Sequence, residues 1–275
     1  MLNNKVIHYC WFGGKPLSKA AKKSIRSWKK YAPDYVIQCW DESNIDLHEC
    51  AYALDAYRAG KWAFVSDYVR FKVIHEHGGI YMDVGSELIR PIKQLESLVP
   101  FSAFEMFTNS VNPGLVLAAN AKDPIVAEVL DAYQSLRFEN TAEYLSEHTV
   151  NDIFSEILIK HGLVRNGIQQ VVDGWNLLSP KVFNPVYGFG GYHISKDTIS
   201  IHRYSASWGS QVGRLKSQFE RFLIPVLGRR LGQITARLFA EINVSGRLSG
   251  KSGHLPQNLR RVLVDGIDGK CFSKR

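Results

Sequence analysis

The sequence predicts an α/β fold in which a mixed, mostly parallel sheet is flanked by helices. β-rich and helical segments alternate through the first half of the chain, and short β-rich pieces dominate residues 168–205. With 275 residues, 45% of them hydrophobic, the chain is long enough to bury the core of one large domain. We expect this domain to span residues 1–212 and a tail to follow over residues 213–275.

Within the domain, glycine, proline and capping residues mark where the elements end. Gly78 and Gly79 supply a C-terminal stop for the strongest helix, whose apolar residues recur near the 3.6-residue period. Ser18 fits a helix N-cap, and Pro124 suits a first helical turn. The predicted strands are 5–12, 35–40, 80–82, 101–107, 114–119 and 198–204, and the predicted helices are 18–31, 47–59, 61–77, 123–137 and 151–161.

The net charge of +8 is concentrated in the tail. Residues 213–261 contain ten Lys or Arg and two acidic residues, so the rest of the chain is close to neutral. Pro225 splits or kinks a helical pattern in which basic residues interleave with an apolar stripe. The stripe comprises Leu215, Phe219, Phe222, Leu223, Leu227, Leu231, Ile234, Leu238 and Ile242.

Several classes of protein are disfavoured by what the sequence lacks. The four cysteines form no C-x-x-C pair and match no zinc or disulfide framework, which indicates reduced thiols. No apolar run of about 18 residues predicts a transmembrane helix, and the N-terminus has no apolar leader segment. We therefore expect a cytoplasmic protein, with peripheral association at the inner face of the plasma membrane as a further possibility.

Two segments carry carboxylates where an open α/β sheet binds its ligands. Asp83 follows the strand 80–82, at the carboxyl end where such sheets hold ligands, although an ordinary turn-forming aspartate gives the same pattern. In 63–71, Asp67 and Arg70 share a helix face, so the arginine can keep the carboxylate ionised and oriented toward sugar hydroxyls. A surface salt bridge is the alternative interpretation.

A third segment, SIHRYSASW over 200–208, offers an imidazole, a guanidinium, hydroxyls and an indole. Such a cluster suits phosphate oxygens, with Arg203 as the charge-assisted donor, and an edge strand with a packed Trp208 is the alternative. Other patterns fail. His75 and His77 lie on different helix faces and cannot share one metal, and neither G-x-G-x-x-G nor G-x-S-x-G occurs.

Together these segments resemble the family 32 glycosyltransferases, the "DXD sugar-binding" proteins of capsule and polysaccharide synthesis, which include initiating mannosyltransferases. The resemblance covers about residues 5–210. It is carried, in order, by VIHYCWFGGKPL (6–17), SIRSWKKYAPDY (24–35), KWAFVSDYVRFKVIHEHGGIYMD (61–83), NPGLVLAANAKDPI (112–125) and IHRYSASW (201–208).

The resemblance implies a GT-A fold, a nucleotide-sugar donor and transfer with retention. It assigns the donor sugar to Ser66, Asp67, Arg70 and Asp83, the base and ribose to His8, Trp11 and Phe12, and the diphosphate to Ser207 and Trp208. We add Arg203 as a diphosphate-binding residue and take Asp83 and Arg203 as the catalytic residues.

The sequence departs from the family pattern at two positions, and both concern the residues that usually bind or border the metal ion. Gly85 stands where the second aspartate of D-x-D usually binds Mg or Mn, and Arg203 replaces a histidine of the same region. We therefore hypothesise that Arg203 supplies the positive charge that the ion gives to the departing diphosphate. The alternative is a metal retained by Asp83, His202 or Glu87.

Three functions remain open at this point. The first is a hexosyltransferase acting on a glycan acceptor, most simply a lipid-linked one, and the second is a non-catalytic sugar-nucleotide-binding or scaffold protein with the same fold. In the third, the tail binds nucleic acid, but its apolar stripe favours an anionic membrane surface instead. A tail helix packed on the domain, or on a second copy of the chain, fits the same pattern.

Overall fold

A computed structural model describes residues 1–106, 108–185, 193–203 and residue 235. The predicted α/β class is confirmed over these residues, as a mixed sheet with flanking helices. The predicted tail helix lies outside the described residues, and the division into 1–212 and 213–275 stays a prediction. No helix of the described residues is long and apolar enough to cross a membrane.

In the described part of the chain, seven strands form the main sheet: β1 (Val6–Cys10), β2 (Val36–Trp40), β3 (Gly79–Tyr81), β5 (Phe101–Ala103), β6 (Leu117–Ala119), β7 (Gln170–Val172) and β8 (Trp175–Leu178). Their order is β2-β1-β3-β6-β5-β8-β7. The pairs β2–β1, β1–β3 and β5–β8 are parallel, and β3–β6, β6–β5 and β8–β7 are antiparallel, so five of the seven strands run in one direction.

A separate two-stranded antiparallel sheet joins β4 (Ser86–Leu88) to β9 (Ser200–His202). It brings the last described segment of the chain beside the segment that follows Asp83. The helices are α1 (Lys19–Tyr31), α2 (Ala51–Arg58), α3 (Trp62–His77), α4 (Pro124–Ser135), α5 (Ala142–Glu147), α6 (Val150–Lys160), α7 (Pro180–Phe183) and a 3₁₀ helix, Ile92–Leu98.

Two hydrophobic clusters cover the two faces of the sheet. One is built from α2, α3, α4 and α6, and the other includes Trp28 of α1 and Phe183 of α7. Helix α3 is the central helix of the first cluster, and its buried residues include three charged ones, Asp67, Arg70 and Lys72. A charged side chain inside such a helix needs partners. Lys72 pairs with Glu49 and Glu76, whereas the partners of Asp67 and Arg70 build the candidate site.

Local sequence signals explain several element boundaries. The Ser18 hydroxyl accepts from Ala21 N at 3.1 Å, so the predicted N-cap of α1 is confirmed. Helix α4 begins at Pro124 as predicted, and Asp123 caps it by accepting from Ile125 N and Val126 N. Gly78 ends α3 with a φ of 64°, a left-handed conformation that suits glycine.

Several predicted elements are shorter than expected. Helix α2 begins at Ala51 rather than at residue 47, and strand β5 ends at Ala103 rather than at 107, a residue that is not described. Strand β6 begins at Leu117 rather than at 114, because the Asn112 side chain accepts from the backbone of the two residues Gly114 and Leu115 and holds a turn.

Candidate active site

Three parts of the chain meet at one edge of the main sheet. Strand β3 ends at Tyr81, just before Asp83. Strand β6 is antiparallel to β3, so the turn that precedes β6 lies at the same edge, and Asp83 N donates to Gly114 O at 2.9 Å. Helix α3 packs across β1, β3 and β6, which brings its charged residues to this edge. In an open α/β sheet, this edge is where ligands bind.

Arg70 joins two carboxylates at this edge. Its Nη2 lies 2.7 Å from Asp67 Oδ1 and 3.5 Å from Asp83 Oδ1, and its Nε donates to the carbonyl of Ser66 at 3.0 Å. The Arg70 side chain is only 4% exposed and that of Asp67 11%, whereas Asp83 is 34% exposed. The alternative interpretation as a surface salt bridge is therefore wrong, because this pair is buried.

Tyr81 fixes the orientation of both charges. Its hydroxyl donates to Asp83 Oδ1 at 2.9 Å, and its ring lies 5.1 Å from the guanidinium carbon of Arg70, in the geometry of a cation–π contact. Tyr81 itself is buried. The residues Asp67, Arg70, Tyr81 and Asp83, which we call the carboxylate–arginine cluster, therefore have a single preorganised arrangement.

Burial controls the protonation of this cluster. It raises the pKa of Asp67 to about 7, against the opposing effect of Arg70 and with a further contribution from Asp83. The arginine stays protonated, since a guanidinium does not lose its proton in proteins. Near neutral pH, Asp67 is therefore partly protonated, contrary to the expectation that Arg70 keeps it ionised. The exposed carboxyl group of the cluster is that of Asp83, whose oxygens can accept hydrogen bonds from hydroxyl groups.

Ser66, the fourth residue assigned to the donor sugar, turns its hydroxyl into the helix. Its Oγ donates to the Trp62 carbonyl at 2.9 Å, and its own carbonyl accepts from Arg70. The Ser66 side chain is half-buried and forms no ion pair or hydrogen bond with the two aspartates in the described structure. Its contribution to the cluster is the carbonyl that helps to hold Arg70.

The three residues assigned to the base and ribose lie in different surroundings. His8 is buried, with Nδ1 accepting from Trp40 Nε1 at 3.0 Å and Nε2 2.9 Å from the Gly78 carbonyl. Burial lowers the pKa of His8 to about 4, so the ring is neutral and holds β1, β2 and the end of α3 together. We therefore leave His8 out of the proposed nucleotide site.

Phe12 is also buried in the core, so its side chain contributes packing rather than an open surface. Trp11 is half-buried at the end of β1, and its Nε1 donates to the Lys15 carbonyl. Close by, a Cβ on Gly13 would lie 2.7 Å from the Trp62 ring, and Gly13 N donates to Glu42 at 2.6 Å. Of the three residues, Trp11 is the one with a side chain partly open at this edge.

His202 occupies the space that a side chain at position 85 needs. A Cβ on Gly85 would lie 2.9 Å from His202 Nε2 and 3.4 Å from the Arg203 carbonyl. The backbone also joins these segments, since Arg203 N donates to Gly85 O at 2.9 Å. Glycine at this position therefore allows β9 to approach β4 closely.

Arg203 forms an ion pair on the two-stranded sheet. Its Nε lies 2.8 Å from Glu87 Oε2, and Lys23 Nζ lies 3.0 Å from the other oxygen of the same carboxylate. Arg203 and Lys23 are about half exposed, and the three residues together carry a net charge of +1. Ser207 and Trp208, assigned to the diphosphate, lie outside the described residues.

Among the residues that the structure describes, the donor atoms at this edge do not fit a Mg²⁺ or Mn²⁺ ion. In the described part of the chain, no three His, Cys, Asp or Glu side chains come together as a group able to hold a metal ion. Hard cations take several oxygen ligands, whereas Asp83 Oδ1 already accepts from Tyr81 and faces Arg70. Glu87 is engaged by Lys23 and Arg203, and His202 Nε2 lies against position 85.

Sequence reasoning missed several residues of this edge. Tyr81 is part of the cluster, Asn112 and Gly114 border it, and Lys23 shares Glu87 with Arg203. The sequence Asn-Pro-Gly is typical of a turn. Its place beside Asp83 depends on the antiparallel direction of β6, which no local pattern reveals.

Comparison with known proteins supports a glycosyltransferase function. Residues 18–105 match the family model described as "Glycosyltransferase sugar-binding region containing DXD motif". This range includes Ser66, Asp67, Arg70 and Asp83. No curated protein matches the chain significantly.

Two solved structures are similar over part of the chain. "PaToxG Glycosyltransferase" is 20% identical with a TM-score of 0.43, covering 57% of this chain and 69% of that one. A glycosyltransferase involved in the glycosylation of the major capsid of PBCV-1 is 14% identical with a TM-score of 0.41, covering 76% of this chain and 96% of that one.

Proposed function

We propose that this protein is a retaining glycosyltransferase of the GT-A type, which transfers a hexose from a nucleotide sugar to a glycan acceptor in polysaccharide synthesis. The observation that carries the proposal is Arg70, which holds the carboxylates of Asp67 and Asp83 together at the ligand-binding edge of the sheet. Oriented carboxylates recognise the hydroxyls of a sugar. Capsular polysaccharide, with a lipid-linked glycan as acceptor, is the product class that the sequence resemblance favours.

In this proposal the carboxylate–arginine cluster binds and orients the donor sugar. Asp83 is the more exposed carboxylate and accepts from hydroxyls, while Asp67 and Arg70 hold it in place from behind. Tyr81 and Arg70 already engage Asp83 Oδ1, which favours an orienting role for this residue over nucleophilic attack. The acceptor hydroxyl then attacks on the face that the phosphate leaves, and its proton passes to the departing phosphate.

Positive charge for the departing diphosphate comes, in this proposal, from Arg203 and Lys23. Both form ion pairs with Glu87, which lies two residues beyond Gly85. The two cations and the one carboxylate leave a net charge of +1. A fixed cation beside a leaving group stabilises the charge that develops there. The Glu87 carboxylate partly neutralises Arg203, so Lys23 is needed beside Arg203 to leave a net positive charge for the diphosphate.

The test is a screen of nucleotide sugars for thermal stabilisation, with and without EDTA, followed by release of nucleoside diphosphate in the presence of an acceptor glycan. We expect one nucleotide hexose to raise the Tm in EDTA and to be turned over. Arg203→Ala should lower turnover far more than donor binding. Complete dependence of turnover on added manganese would overturn the role of Arg203 and Lys23.

A second candidate is a non-catalytic sugar-nucleotide-binding or scaffold protein. The observation that favours it is Gly85, because the usual second carboxylate is missing and His202 fills its space. Such a protein would bind the donor as tightly as the enzyme does but release no nucleoside diphosphate with any acceptor. The turnover arm of the screen therefore separates the two candidates.

We further propose that the basic tail attaches the protein to an anionic membrane surface, where a lipid-linked acceptor would lie. The proposal rests on the sequence of residues 213–261, in which an apolar stripe alternates with basic residues. Replacing Arg229, Arg230 and Arg237 by Glu should abolish co-sedimentation with phosphatidylglycerol vesicles at low salt. The matched control replaces Lys22, Lys29 and Lys30 of α1, all exposed, by Glu.

Unchanged vesicle binding of the tail variant would contradict the membrane proposal. A change in its oligomeric state, without any vesicle binding by the wild type, would instead favour a tail that packs on a second copy of the chain.

A further inference from the structure

The main sheet has an open edge at β7, the last strand in its order. A two-residue turn, Asp173-Gly174, joins β7 to β8, and both of its residues have a positive φ. In such a hairpin the flanking residues, Val172 and Trp175, form a hydrogen-bonded pair. Because hydrogen-bonded and non-hydrogen-bonded pairs alternate in an antiparallel ladder, the N–H and C=O of Val171 point away from β8. No strand of the described residues pairs with this side of β7.

Exposed apolar side chains are concentrated beside this strand. Seven large apolar residues are exposed in the described part of the chain, and four of them lie within residues 159–171. These four are Ile159, Val164, Ile168 and Val171, with exposed fractions between 44% and 68%. Apolar side chains beside unpaired backbone groups are typical of a surface that binds another protein chain. We call residues 159–173 the β7 edge.

Two ion pairs hold opposite charges at the two ends of the β7 edge. Where α6 ends, His161 Nδ1 lies 2.9 Å from Asp173 Oδ2. In the first turn of α6, Asp152 Oδ1 lies 3.2 Å from Arg165 Nη2. The side chains of Arg165 and Asp173 remain 33% and 64% exposed. The β7 edge therefore carries a cation near the amino end of the strand and an anion at its carboxyl end.

The spacing of these charges matches that of two antiparallel β7 strands. Asp152 and His161 are nine residues apart, so Arg165 and Asp173 are separated by about 13 Å at the helical rise of 1.5 Å per residue. When two copies pair at Val171, the two Asp173 residues lie four strand steps apart, which is also about 13 Å. Arg165 of each copy then lies level with Asp173 of the other. In a parallel pairing, like charges would meet instead.

We propose that the β7 edge is a homodimer interface, at which β7 pairs antiparallel with β7 of a second copy about a two-fold axis at Val171. The two Val171 residues exchange two backbone hydrogen bonds, and the main sheets of both copies join into one. Exposed apolar side chains pack across the axis, and Arg165 of each copy pairs with Asp173 of the other. A two-fold axis uses the same surface twice, which is why this surface carries both charges.

This pairing leaves the candidate active site open. Strand β7 lies four places from β3 in the order of the main sheet, whereas the carboxylate–arginine cluster lies at the end of β3. The two-fold axis reverses the strand direction between the copies. The two candidate active sites therefore open at opposite edges of the joined sheet.

The test measures self-association of the full chain by sedimentation velocity across a concentration series, and we expect a monomer–dimer equilibrium. Val171→Lys should raise the dissociation constant of the dimer at least about tenfold, because it places two like charges at the centre of the interface. The matched control is Val36→Lys. Val36 is a similarly exposed valine on β2, at the other edge of the sheet, and its replacement should leave the dissociation constant unchanged.

The charged residues test the partner and the orientation. Arg165→Glu and Asp173→Lys should each weaken the dimer at least about tenfold, since like charges then meet at both contacts. An equimolar mixture of the two variants should dimerise again. In the mixed dimer, the new glutamate meets the new lysine at one contact, and Asp173 meets Arg165 at the other. The Tm of each variant, measured beside these experiments, shows that the fold persists.

A wild type that stays monomeric at every concentration would overturn the inference, and the β7 edge would then be left to a different protein. A dimer that Val171→Lys leaves intact would also overturn it, because the interface would lie elsewhere in the chain. If both charge variants keep their Tm but their mixture stays monomeric, the antiparallel pairing of Arg165 with Asp173 is wrong.

Discussion

Arg70 Nη2 lies 2.7 Å from Asp67 Oδ1, and both side chains are buried within helix α3. The same guanidinium reaches Asp83 at 3.5 Å, so one arginine connects the helix to the end of strand β3. An arginine can do this because its planar group carries several donors in a fixed geometry, whereas lysine is a point charge on a flexible chain.

We therefore predict that Arg70→Lys weakens nucleotide-sugar binding by at least about tenfold, although the charge is kept. Arg70→Ala should in addition lower the free energy of unfolding by about 3 to 5 kcal/mol, because it leaves Asp67 unpaired in the core. Chemical denaturation and calorimetric titration measure the two effects. Arg58→Lys is the control, since Arg58 pairs with Asp55 at the same i,i+3 spacing on an exposed surface. Donor affinity of Arg70→Lys equal to that of the wild type would refute the orienting role.

Because the pKa of Asp67 is raised, we expect the stability of the fold to fall and the affinity for the donor to increase as the pH rises. This pKa is about 7 in the fold and 3.8 in the unfolded chain, so the native state holds the proton more tightly. The resulting stabilisation is fully present below about pH 4 and is lost as the pH rises through 7. Relative to Asp67→Asn, the Tm of the wild type should fall by at least about 2 °C between pH 5 and pH 8.

Donor binding should instead increase over the same range, because the cluster gains its second carboxylate as Asp67 ionises. Scanning fluorimetry and titration at matched pH values follow both properties. Asp55→Asn, on the surface, serves as the control and should have no effect on either slope. Parallel slopes for the wild type and Asp67→Asn would show that Asp67 does not titrate in this range.

A further prediction concerns the steric effect of a side chain at position 114. A methyl group there would stand 2.3 Å from Asp83 Oδ2, far inside van der Waals contact, so Gly114→Ala must displace the carboxylate. We expect at least tenfold weaker donor binding with a modest loss of stability of about 1 to 3 kcal/mol. Adding Gly114→Ala to Asp83→Ala should then cost little further affinity, because the displaced group is already gone. Full additivity of the two losses would contradict this explanation.

The sequence predicted those parts of the site that lie close together along the chain. Asp67 and Arg70 share a helix face by their i,i+3 spacing, and Asp83 follows a recognisable strand. The burial that makes this pair more than a surface salt bridge comes from packing against three strands and two helices, which local spacing does not contain. The turn that contains Gly114 was missed for a similar reason, since the pairing of β3 with β6 brings it beside Asp83.

The assignment of His8 shows what position along the chain leaves open. A histidine in the first strand fits a nucleotide site by position, but His8 is buried, and Trp40 and Gly78 engage both of its ring nitrogens. The pairing of β4 with β9 was also not predicted, because it joins segments more than a hundred residues apart. That pairing places His202 against position 85 and therefore limits which side chains fit there.

Gly85 makes the last prediction, which concerns the missing carboxylate. Because His202 Nε2 would lie 2.9 Å from a Cβ at position 85, Gly85→Asp cannot simply restore the D-x-D motif. We expect this variant to lose about 1 to 3 kcal/mol of unfolding free energy and to gain no response to manganese in donor binding. Replacing His202 in the double variant Gly85→Asp/His202→Ala should recover part of the stability, because the steric conflict is then relieved.

His202→Ala alone is the control for the loss of the imidazole ring. The contrary outcome is manganese-dependent donor binding by Gly85→Asp without loss of stability. It would mean that His202 moves aside freely, and the close approach of β9 would then not explain the glycine at position 85.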